Sequence, residues 1–195
     1  MLFGDFEQQY REYANAKFAI LPVPYDATST WVKGADKGPE AFLDASFTLE
    51  NYDVETGTEA YKHGIATLPF VTEDRTPELL CNQVQQEVTT LLNDGKFPVT
   101  IGGNHTVSIG AIRAMAQKYN NLTVLQLDAH SDLRPSYEGS ELNHACVMNR
   151  AAEVAKITQV GIRSQCVEEL PFFEKDRLFY AHQIFDNNQW QAKAI

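Results

Sequence analysis

Short apolar runs at residues 17–23, 97–101, 122–127, 156–161 and 178–181 alternate with segments long enough to hold a helix. That rhythm is the one made by parallel βαβ units, because two parallel strands need a crossover between them; it is not the rhythm of a sandwich or a bundle. The runs are short and mostly apolar, as strands covered on both faces require. An α/β fold with a mainly parallel sheet is the expectation.

The intervening segments carry helix signals. Over residues 77–92, Thr76 is placed to cap, Pro77 suits the first helical position, and Leu80, Val84, Val88 and Leu91 form one apolar stripe. Asn93, Asp94 and Gly95 then stop the helix. A second helix is expected to start near Thr106, carry Val107, Ile109, Ile112 and Met115 towards the sheet, and end around residues 119–121. A third covers residues 145–155. Residues 26–57 have no clear period until they turn helical over 39–46, and they read as a long loop of the kind that is often functional. No repeat, low-complexity tract or Pro/Ser-rich linker interrupts the chain, so residues 1–195 are expected to form a single domain. Asp186, Asn187 or Asn188 is placed to cap a last helix, which has room for only one or two turns and reads as unfinished.

Composition narrows the partners. A chain of 195 residues that is 44% hydrophobic and 22% charged has the material for one sizeable core. The formal net charge of −10 argues against a nucleic-acid backbone or an anionic membrane surface, both of which need clustered Lys and Arg. Cys81, Cys146 and Cys166 are odd in number and far apart, which indicates neither a disulfide framework nor a CxxC zinc site and fits a reducing cytosol. The first residues, MLFGDFEQQYREYANAK, lack the basic patch and apolar run of a signal peptide, and no stretch is apolar for long enough to span a bilayer. A cytoplasmic protein is expected.

The segment LQLDAHSD, residues 125–132, is an apolar strand ending in three potential ligands spaced two residues apart. In an extended chain, alternate side chains leave on the same side, so Asp128, His130 and Asp132 are placed to converge where the strand gives way to its loop. Such loops form the usual ligand crevice of open parallel sheets. Each residue type has an ordinary reading: Asp128 as a turn cap, a lone histidine as a capping or hydrogen-bonding group, Asp132 as a solvated acid. Together on a buried strand end, the carboxylates repel unless a cation compensates them. Mixed oxygen and nitrogen donors without thiolate suit Mn2+, Fe2+, Co2+ or Zn2+ better than Ca2+. The segment VTIGGNHTVS, residues 99–108, repeats the design one strand earlier: a strand, two glycines for a tight turn or a close backbone approach, then His105 opening a helix.

GGNH followed by LDAHSD resembles the paired signatures of the ureohydrolases, the family that includes agmatinase, arginase, guanidinobutyrase and formimidoylglutamase. PVPYDATSTWVKGADKGPEAFLDAS, residues 22–46, is similar to the family's N-terminal segment, and KITQVGIRS, residues 156–164, to its later strand ending in GIR. Among subfamilies the pattern is most like agmatinase. The resemblance implies a three-layer αβα fold with two Mn2+ ions at the carboxyl edge of the sheet. His105 and Asp132 would bind one manganese, His130 the other, and Asp128 both. It implies attack of metal-activated hydroxide on a guanidinium carbon, as in conversion of agmatine to putrescine and urea. His144 matches a position associated with proton shuttling, and competes with a purely structural role at a helix start. Homo-oligomers are usual in the family. His63 and His182 fit no motif and read as structural or surface residues; Arg134, Tyr137 and Glu138 read first as a solvated loop, with help in shaping a substrate pocket as the alternative.

Two departures stand out. Asn104 replaces the more usual Asp of GGDH, exchanging a carboxylate that could steer His105 for an amide. The family's later DxDxxDP motif and a guanidinium-facing Glu beyond it do not occur before Ile195, so the second manganese site is expected to be incomplete and the chain to read as C-terminally truncated. The alternatives are a catalytically impaired relative acting as a mononuclear metal-binding or subunit-interaction module, a sister activity within the ureohydrolases, or another binuclear hydrolase of the deacetylase type.

Overall fold

The computed structural model describes residues 1–185 and 188–194. A cap at Asp186 or Asn187 therefore lies outside the described residues. The chain divides into two compact units, Met1–Ala111 and Ile112–Ile195.

In the first unit, β1 (Phe18–Val23) lies between β2 (Ile65–Thr67) and β3 (Phe97–Gly102), and both pairings are parallel. Helix α1 (Gly38–Ala45) and helix α2 (Pro77–Asn93) supply the crossovers. Local signals account for α2. The Thr76 hydroxyl accepts from the Leu79 N–H at 3.2 Å, Pro77 opens the first turn, and the chain leaves through Gly95 at φ 72°. The stripe of Leu80, Val84, Val88 and Leu91 is fully buried, so the helix is held chiefly by that face.

In the second unit, β5 (Lys156–Ile162) lies between β4 (Thr123–Leu127) and β6 (Leu178–Tyr180), again with every pairing parallel. Helix α3 (Ser108–Lys118), whose first residues belong to the first unit, precedes β4, α4 (Val147–Ala152) precedes β5, and α5 (Ala181–Ile184) follows β6; α6 (Gln191–Ala194) comes last. The fold is thus the parallel α/β class that the strand rhythm demands.

Some boundaries differ from expectation. Strand β2 was not expected: its three residues, Ile-Ala-Thr, lack the bulky apolar character of the equally short β6. The helix expected over 145–155 begins as a 3-10 turn at His144–Cys146 and is regular only over α4. The second helix likewise starts with a 3-10 turn, His105–Val107. Among the described strands, β3 pairs only with β1 and β4 only with β5. Leu125 and Leu127 on β4 are 50% and 71% exposed. No helix of the described residues is long and apolar enough to cross a membrane.

Candidate metal centre

Strand β4 ends at Leu127, and the loop Asp128–Asp132 leaves its carboxyl end. Its shape is imposed by hydrogen bonds from the next strand. The Asp128 N–H donates to the Val160 carbonyl at 3.1 Å, and the N–H groups of Arg163 and Ser164 both donate to the Ala129 carbonyl, at 2.9 and 3.0 Å. The GIRS segment is therefore a splint for the loop. Gly161 has φ 91°, a conformation that strains any side chain, and a Cβ there would crowd the Asp128 carbonyl oxygen at 3.2 Å.

Asp132 is the most constrained of the candidate ligands. It is only 9% exposed and adopts φ 49°, a left-handed conformation that costs a non-glycine residue of the order of 1 kcal/mol. The first turn of α4 holds it there: the N–H groups of Met148 and Asn149 donate to the Asp132 carbonyl at 2.9 and 3.3 Å, and the Asn149 side chain donates to the Leu133 carbonyl at 2.9 Å. A carboxylate oxygen of Asp132 and one of Asp128 lie within 4.8 Å of each other. On its other side Asp128 meets His130: Oδ1 accepts from the His130 N–H at 2.9 Å and stands 3.6 Å from Nδ1. The His130 side chain itself is 66% exposed. Asp128 is thus the neighbour shared by the other two.

Two acids close together, one of them buried, repel unless a cation lies near them, and the neighbouring imidazole adds a nitrogen donor. The donor set fits a divalent transition metal.

In the first unit, β3 delivers the GGNH segment. Neither Gly102 nor Gly103 has a positive φ. The structural reason for Gly103 is close approach: a Cβ would lie 2.1 Å from the Tyr25 carbonyl oxygen. Asn104 caps the turn that contains His105, its Oδ1 accepting from the Thr106 N–H at 3.1 Å. Its Nδ2 donates to the hydroxyls of Thr28 and Ser29 at 2.8 and 3.1 Å, tying the turn to the loop after β1. An aspartate could accept at the cap but could not donate to those hydroxyls, which is what the amide adds here.

His144 starts the turn before α4. Asn143 caps that turn through the Ala145 N–H at 3.1 Å. The His144 ring packs edge-on against Tyr137, with centroids 5.9 Å apart, and its Nδ1 is buried with no hydrogen-bond partner among the described residues. Tyr137 in turn carries the Arg134 guanidinium over its face at 4.7 Å, and Glu138 sits at φ 49° in the tight turn closed by Tyr137 and Ser140. Residues 134–144 are therefore an ordered turn around His144. His182 is exposed and stacks on Tyr180.

Sequence reasoning missed Glu169. Its carboxylate is 4% exposed and accepts from the Ser131 hydroxyl at 2.7 Å, the Leu133 N–H at 2.8 Å and the Cys166 N–H at 2.6 Å. Burial opposes its ionisation, but the bonds from Cys166, Ser131 and Leu133 outweigh it and hold the carboxyl below the usual range. A buried anion thus pins both sides of Asp132.

The arginase family model matches residues 16–194. An N(1)-aminopropylagmatine ureohydrolase of Synechocystis is 39% identical over 193 residues, covering 94% of this chain and 63% of its own. The agmatinase of Bacillus subtilis is 31% identical over 173 residues, covering 85% and 58%. Among solved structures, the agmatine ureohydrolase of Thermoplasma volcanium superposes with a TM-score of 0.84 at 30% identity, over 96% of this chain and 66% of that one. The chain thus spans about two thirds or less of the length of these relatives. With the match running through both units and the DAHSD loop in place, the chain belongs to the arginase family.

Proposed function

We propose that this chain carries part of a manganese-dependent ureohydrolase acting on a linear guanidine, with agmatine as substrate and putrescine and urea as products. The observation that carries the reading is the Asp128–Asp132 loop, in which two close carboxylates and an imidazole are held by backbone bonds from β5 and α4. His105, Asp128, His130 and Asp132 are the residues that would hold the metal. When bound, manganese supplies Lewis acidity and makes hydroxide available from water near neutral pH. Asp128 and Asp132 would offset its positive charge. His144 supplies a proton to the departing amine, an assignment supported by its buried Nδ1 and its fixed ring. The family match through both units supports reading residues 1–195 as part of one arginase-like domain.

A second substrate reading has its own support. The Synechocystis relative named for aminopropylagmatine is 39% identical, against 31% for the Bacillus subtilis agmatinase, which favours a guanidine whose tail carries an added aminopropyl group.

The test is urea release by the manganese-loaded chain from agmatine, aminopropylagmatine, arginine and guanidinobutyrate. Turnover of agmatine or its aminopropyl derivative is expected, and the faster substrate decides between the two readings. Manganese retained with no urea from any of the four would contradict the enzymatic reading and leave a metal-binding module.

A further inference from the structure

Beneath the Asp128–Asp132 loop lie two buried glutamines. Gln126 and Gln159 are register partners on β4 and β5, 5% and 1% exposed. Their amides form a chain that ends on the loop. Gln159 Nε2 donates to Gln126 Oε1 at 2.5 Å and to the Ser131 carbonyl at 2.7 Å. Gln126 Nε2 donates to Asp128 Oδ2 at 3.3 Å and to the His130 carbonyl at 3.1 Å. The network fixes the orientation of the Gln126 amide, because its oxygen faces a donor and its nitrogen faces only acceptors; a flipped amide would set oxygen against the Asp128 carboxylate.

A sheet interior does not need these groups. Apolar side chains would fill the same layer, whereas each buried amide costs of the order of 1–3 kcal/mol unless its bonds are made. The bonds made by both Nε2 atoms run to Gln126 itself, to Asp128 and to the carbonyls between Asp128 and Asp132. Their effect falls on the loop.

We infer that Gln126 and Gln159 are positioning residues for the metal centre: Gln159 locks the Gln126 amide, and Gln126 sets the plane of the Asp128 carboxylate by donating to Oδ2. The inference rests on the reading of Asp128 as a metal ligand. A neutral amide is suited to the task because it donates the same hydrogen bond at every pH at which the protein is folded.

The experiment measures Co2+ affinity and the visible d–d absorption of the Co2+-loaded full chain, with circular dichroism to confirm folding. Gln126→Met keeps the side-chain length and removes only the amide. The double variant Q126L/Q159L removes both amides at once, so that neither is left unsatisfied against the other. Both variants are expected to bind Co2+ about 10–100-fold more weakly than the parent chain and to show a shifted absorption band. Folded variants with parental affinity and spectrum would overturn the positioning role while leaving the metal site intact. Failure of the parent chain to bind Co2+ would overturn the metal reading itself, and this inference with it.

Discussion

At the residue scale, DAHSD stood out as a candidate ligand segment by its spacing, but the extended geometry expected of it is not what places it: β4 ends at Leu127 and Asp132 sits in a loop at φ 49°. The residues that hold the loop did not stand out. Gln126, Gln159 and Glu169 are polar and look like surface positions in sequence, and their partners stand up to 38 residues away on neighbouring elements. Glu169 gives a direct test. Its folded pKa is depressed, so its stabilising contribution is present above the ordinary carboxylate value of about 4.3 and is lost as pH falls through the lower folded value. Thermal melts of the parent chain should therefore lose stability on acidification below about pH 4, and Glu169→Gln should flatten that dependence and cost about 1–3 kcal/mol at neutral pH. An unchanged melting temperature at neutral pH would show that the three bonds do not matter. His144→Ala belongs to the same scale. Urea release should fall by about a factor of 100 or more with manganese retained; loss of manganese would make the residue structural.

Among the elements, α2 was readable from its cap, proline and stripe, β1, β3, β4 and β5 from their apolar character, and the three-residue β6 from its Leu-Phe-Tyr. Strand β2 was not, because Ile-Ala-Thr has little apolar or aromatic character to mark it, and it pairs with β1 in a parallel ladder from Phe18 to Ile20. The GIRS segment was visible as a motif but not as a mechanism. Its glycine lets β5 pass close to the Asp128 carbonyl at a left-handed φ. Gly161→Ala should therefore destabilise the protein by about 1–2 kcal/mol and weaken metal binding as the loop shifts, measured by chemical denaturation and metal titration. Full stability and affinity in this variant would refute the splint.

For the whole molecule, the strand rhythm carried the fold class, while division into two compact units left no mark in composition. The open edges also follow from pairing rather than sequence: β4 pairs with β5 alone among the described strands, and its outer leucines stand in solvent. An exposed apolar strand edge favours association. Sedimentation should show self-association that rises with concentration, and the double substitution L125K/L127K should reduce it; association unchanged by the lysines would assign it to another surface.

The claim on which the rest depends is that the Asp128–Asp132 loop binds a divalent metal. Titrating the full chain with Mn2+ and following the paramagnetic resonance of the free ion tests it without reference to any substrate. The parent chain should take up manganese, and Asp128→Asn should abolish that uptake while the protein remains folded; uptake that is absent in the parent, or undiminished in Asp128→Asn, would contradict the account.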